Sequence, residues 1–118
     1  GCCGDRDQKK RPKIGEICGI LADRVVVCDD EPYTEDPKQI RDMILSGLEN
    51  TKMKRDQDYL EIPDREKAIA YALSHAQAGD TVLVPGMGDF EGRTFHDGVH
   101  PWSERDVIRA QLKNLENS

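Results

Sequence analysis

Apolar positions along the chain switch between two spacings, and the switches mark out its elements. Ile14, Ile17, Cys18 and Leu21 recur at i, i+3, i+4 and i+7, the inward face of a helix beginning at Pro12. Arg24–Cys28 is a short β-branched run and predicts a strand buried on both faces. Asp36-Pro37 joins an N-cap to a first-turn proline, and Ile40, Ile44 and Leu48 then repeat up to a stop near Gly47–Asn50. A polar loop over 51–58 precedes a strand at Tyr59–Ile62. Asp64 caps a third helix with Ile69, Ala72, Leu73 and Ala76 inward. Gly79-Asp80 turns the chain into Thr81–Val84, expected as a second buried strand. Asp97-Gly98, between Arg93–His96 and Val99–His100, signals a hairpin. Ser103 opens a last helix carrying Val107, Ile108, Leu112 and Leu115.

Short apolar strands alternating with helices predict an α/β fold. The expected form is a three-layer, Rossmann-like domain with a mostly parallel sheet, helices on both faces and a C-terminal hairpin. Ligands in such sheets bind beyond the carboxyl ends of the strands. Three polar segments, Gly1–Arg11, Asp29–Glu35 and Gly86–Phe90, are therefore expected along one edge. Gly1–Gly4 reads as the loop leaving a strand, and that first strand is absent from the sequence.

At 118 residues the chain is one domain, 1–118, by size. The net charge of -6 argues against a nucleic-acid partner. No apolar run approaches a membrane span, and no signal peptide is visible, so a cytoplasmic protein is expected. Lys9, Lys10, Arg11 and Lys13 form a local basic cluster, suited to one phosphate or carboxylate or to a solvated loop. Cys2, Cys3, Cys18 and Cys28 lack zinc-site spacing and read as reduced thiols. Asp29-Asp30-Glu31 at a strand end has the oxygen ligands of a magnesium site. The lysine a receiver-type site needs is missing after Val84, so a polar turn is the plainer reading. Gly86-x-Gly88 opens no helix, which disfavours dinucleotide binding, and the chain has no phosphate-binding P-loop. No histidine stands in a triad-like context, so no catalytic or metal-ligating residue is assigned.

Several strings occur in a telling order: Gly1-Cys-Cys-Gly-Asp-Arg-Asp7, Lys10-Arg11-Pro12, Asp29-Asp30-x-Pro32 and Thr34-Glu35-Asp36-Pro37. Asp64-Arg65-x-x-Ala68-Ile69, Ala78-Gly79-Asp80-x-Val82-Leu83 and Gly86-x-Gly88 follow. Together they resemble the C-terminal domain of Mur ligases, most nearly of UDP-N-acetylmuramoyl-tripeptide synthetases. The resemblance implies the last part of a longer enzyme that couples ATP cleavage to amide formation through an acyl phosphate. ATP and magnesium would be bound mainly by a central domain, and the UDP-muramoyl peptide by other domains, so this part would not be active alone. Arg6 would grip the carboxylate of the incoming amino acid, with Asp5, Lys10 and Arg11 near the nucleotide. Asp30, Glu31, Tyr33, Gly86 and Phe90 would line the substrate.

The departures bear on the substrate. The Asp-Asn-Pro-Arg motif of diaminopimelate-adding members reads Asp30-Glu31-Pro32-Tyr33, and Gly-Lys-Gly-His-Glu reads Gly86-Met87-Gly88-Asp89-Phe90. With Asp30 and Glu31 present and no distal arginine, the pocket is expected to reject a second carboxylate and accept a side-chain ammonium. The altered motifs also fit an alternative: a stand-alone binding or interaction module that keeps the fold without ligase chemistry.

Overall fold

The computed structural model describes residues 1–117, in the order α1 (Lys10–Leu21), β1 (Val25–Val27), α2 (Pro37–Glu49), β2 (Tyr59–Glu61), α3 (Arg65–His75), β3 (Gly92–Phe95), β4 (Gly98–Pro101) and α4 (Glu104–Glu116). The fold is α/β. β1 and β2 pair in parallel, Val25 opposite Tyr59, with α2 as the crossover between them. β3 and β4 form a separate antiparallel hairpin closed at Phe95 and Gly98. Asp36, Asp64 and Ser103 cap α2, α3 and α4 by accepting hydrogen bonds from Lys38, Lys67 and Asp106 backbone N–H groups. The apolar core joins Val27 and Tyr59 of the parallel pair to Ile40, Ile44, Leu45 and Leu48 of α2, as the fourfold spacing predicts.

Two expectations are corrected. Ile14, Ile17 and Leu21 do not face inward: they are 39%, 55% and 80% exposed. α1 buries Arg11 and Gly15 instead, and meets α2 through them, Arg11 at Met43 and Gly15 at Ile44, while Gly19, one turn further, lies against Thr51 just past the end of α2. A Cβ at Gly15 would overlap the Ile44 carbonyl, and one at Gly47 of α2 the Pro12 carbonyl. Glycine lets the two backbones touch, so this helix packs through residues that carry no hydrophobic signal.

Thr81–Val84 forms no strand. Leu83 is 82% exposed, while Val82 and Val84 are half-buried. A strand needs a hydrogen-bonding neighbour, and among the described residues no strand is paired with this segment.

Candidate functional site

The three polar segments do converge, and they meet at Asp30. Gly1 lies against its carboxylate, and a Cβ at Gly86 would sit 2.5 Å from its Oδ2. Gly86 holds φ at 112°, a backbone setting that favours glycine, so both its shape and its size are required here.

The first loop is stapled to the turn after β1. The Gly4 N–H donates to the Glu31 carbonyl at 2.7 Å. The Asp5 N–H donates to Glu35 Oε1 at 3.0 Å, and its carboxylate accepts from the Thr34 hydroxyl at 2.9 Å. Arg11 is buried at 1% exposure and gives both terminal nitrogens to Glu35, with Nη2 also reaching the Cys3 carbonyl at 3.0 Å. The hydrogen bond from Arg11 is the main reason the Glu35 carboxyl is held below its ordinary range. Asp5 and Tyr33 both adopt φ of 54°, and non-glycine residues in this region carry strain that surrounding contacts must hold.

Arg6 stands next to this clamp. It is exposed, and no hydrogen bond or ion pair among the described residues engages it. Its backbone is fixed by its neighbours, and its guanidinium is left to reach outward, a geometry suited to forked recognition of a carboxylate. Lys10 is exposed in the first turn of α1. Asp5 and Arg11 are turned into the clamp.

Asp30 and Glu31 are directed into the fold, at 3% and 5% exposure. Asp30 pairs with Arg65, and Glu31 Oε2 accepts from the Thr94 N–H at 3.1 Å. The expectation that both carboxylates offer free charge to a ligand is therefore corrected, since internal donors already engage them. Asp29 is likewise taken by Arg41 at 2.7 Å. Among the described residues no cluster of His, Cys, Asp or Glu fits a metal ion. Tyr33 is half-exposed, its N–H held by the Thr94 carbonyl at 3.0 Å.

Two arginines that periodicity did not mark organise this turn. Arg65 is 1% exposed and donates to Asp30, to the Pro85 carbonyl at 3.0 Å and to both oxygens of Glu104 at 3.0 and 2.6 Å. Burial works against its charge, but the Glu104 hydrogen bond and the Asp30 charge outweigh it and raise its pKa. Glu104 Oε2 also accepts from Trp102 Nε1 at 2.6 Å. Arg93 donates to the Asp30 carbonyl at 2.9 Å and the Asp29 carbonyl at 3.1 Å, and lies near the Phe95 and Trp102 rings. Burial and the nearby Arg65 charge lower its pKa. Arg65 follows the Asp64 cap, a position that is normally solvated. Its only sequence signal is its place in the Asp64-Arg65 string.

Beyond Gly86 the third segment departs from the other two. Met87 is buried at 1%, whereas Gly88 and Phe90 line an open cleft of about 660 Å³ with Trp102, Arg105 and Arg109. Phe90 is 53% exposed there. All four cysteines are free, and burial raises the thiol pKa of Cys2, Cys3 and Cys28. No helix among the described residues is long and apolar enough to cross a membrane.

Comparison with known proteins gives one consistent result. A family profile described as Mur ligase, glutamate ligase domain matches residues 1–88. The chain is 38% identical over 116 residues to a UDP-N-acetylmuramoyl-L-alanyl-D-glutamate–2,6-diaminopimelate ligase of Caldanaerobacter subterraneus subsp. tengcongensis, spanning 98% of the chain and 23% of the relative. It is 42% identical over 113 residues to the like-named ligase of Mesorhizobium japonicum, spanning 96% and 22%. A solved structure of a UDP-N-acetylmuramoyl-L-alanyl-D-glutamate–2,6-diaminopimelate ligase superposes with a TM-score of 0.82 at 28% identity, over 100% of this chain and 23% of that one. The chain thus spans under a quarter of the length of these relatives.

Proposed function

The chain belongs to the Mur ligase family through its glutamate ligase domain, and on that premise we propose that it binds the incoming amino acid for an amide-forming ligase that extends the UDP-N-acetylmuramoyl peptide in peptidoglycan synthesis. The proposed parent protein is cytoplasmic and ATP-dependent. ATP and magnesium are assigned mainly to parts of the parent outside this chain, with Asp5, Lys10 and Arg11 near the nucleotide. The domain is taken to extend past the matched residues to 118, because Arg65–Glu104 and the Arg93 contacts tie α4 and the hairpin to the Asp29–Asp30 turn.

The observation that carries this reading is Arg6: an unengaged guanidinium on a loop clamped at Gly4, Asp5 and Arg11, beside the Asp30 turn. A charged fork held this way orients a carboxylate and leaves the substrate's amine free to attack an activated acyl group. The residues also support a finer reading, in which the acceptor is not diaminopimelate. Tyr33 stands where the resembling motif has arginine, and Phe90 where the second motif has glutamate. The relatives are diaminopimelate ligases by name, so this finer reading rests on these residues alone. Acceptor-dependent phosphate release by the full-length protein, over a panel of amino acids, tests both levels. Activity with some amino acid supports the first, and strong preference for diaminopimelate overturns the second.

A further inference from the structure

Arg65 lies deeper than any residue expected to touch substrate, yet it bonds to two of the segments that meet at the site. Its Nη1 takes Asp30 of the turn after β1, and Nη2 takes the Pro85 carbonyl, one residue before Gly86. Its Nε and Nη2 hold the Glu104 carboxylate at the start of α4, whose Oε2 also accepts from Trp102 Nε1. Asp30, Arg65 and Glu104 have side chains only 2%, 1% and 6% exposed. Water cannot substitute for these bonds without opening the core. A single rigid guanidinium plane therefore sets the spacing between the Asp30 turn and the Gly86 backbone. A lysine has one donor centre and cannot span the same partners.

We propose that Arg65 is the positioning residue of the acceptor pocket, with Glu104 as its anchor. This rests on the functional reading above. Misplacement of a binding turn by a fraction of an ångström weakens the ligand seated there and spares ligands held elsewhere.

The test uses the full-length protein with Arg65→Lys and the milder Glu104→Gln, which keeps an oxygen for Arg65 and removes the charge. The expected result for Arg65→Lys is a rise in KM for the amino acid of roughly tenfold or more, with the KM values for ATP and UDP-muramoyl peptide within about twofold of wild type. Glu104→Gln is expected to move the same KM in the same direction by less. Hydrogen exchange of both variants supplies a readout independent of activity. Amides of 29–33 and 86–88 are expected to exchange faster together, with α2 unchanged. Equal changes in all three KM values, a fall in kcat alone, or faster exchange spread evenly over the domain overturns the proposal. If Arg65→Lys does not fold, Glu104→Gln decides by the same two readouts. A wild type inactive with every amino acid overturns the functional reading instead, and the exchange pattern still decides whether Arg65 couples the two segments.

Discussion

Arg11 and Glu35 face one another across 24 residues of chain, and both terminal nitrogens of the arginine meet the carboxylate. The pair turns a basic cluster on a polar loop into a strut, and it is why the loop bearing Arg6 has a defined place over the turn after β1. A bidentate pair with one partner buried does more for geometry than an exposed ion pair such as Lys38–Asp42, which lies at the surface.

The strut makes stability depend on acid. Arg11 holds the Glu35 carboxyl below its ordinary value of 4.5, so the folded state takes up that proton less readily than the unfolded chain. The contribution is fully present above the ordinary value and is lost as pH falls through the depressed one. Glu35→Gln is expected to flatten the acid limb of a stability–pH profile from chemical unfolding, and an unchanged slope below about pH 4.5 would count against the strut.

The glycine seam has its own signature. Alanine favours helix over glycine by about 1 kcal/mol, so Gly47→Ala would stabilise an isolated α2. In the folded chain its Cβ meets the Pro12 carbonyl, and the helices must separate. The expected outcome is net destabilisation of about 1–3 kcal/mol, read as a lower urea midpoint. A raised midpoint would show that α1 and α2 are not in backbone contact.

Much of this architecture is legible in the sequence where one residue's chemistry suffices. Asp36-Pro37, Asp64 and Ser103 start their helices where a cap must, and Ile40, Ile44 and Leu48 face the core as their spacing requires. The α1 face is not legible because its contact surface is glycine and a buried arginine, which no hydrophobic period reports. Thr81–Val84 has the composition of a strand, but a strand exists only when paired with a neighbour, and composition does not report the pairing. At the site, the meeting of three polar segments is expected from the sequence, although the third arrives at Asp30 through Gly86 without a strand before it. The partners of Asp30 and Glu31 did not, because Arg65 and Thr94 lie 35 and 63 residues away in sequence.

Substitution at Tyr33 addresses acceptor choice. Tyr33→Arg restores a cation where the resembling motif has one, on a backbone that already holds φ of 54°. A new charge-assisted contact is expected to raise kcat/KM for diaminopimelate relative to lysine by about tenfold or more in a two-substrate competition. A wild type that already favours diaminopimelate would show that other residues bind the distal carboxylate.

Arg6 carries the central claim, that this edge of the sheet receives an amino acid for amide formation. The most direct measurement is phosphate release from ATP by the full-length protein, dependent on both UDP-muramoyl dipeptide and amino acid, compared between wild type and Arg6→Ala. A lost charge-assisted bond contributes roughly 1.5–3 kcal/mol, so the KM for the amino acid is expected to rise by about 10- to 150-fold while that for ATP holds. Release that is independent of any amino acid, or an amino-acid KM unchanged in Arg6→Ala, would contradict the account.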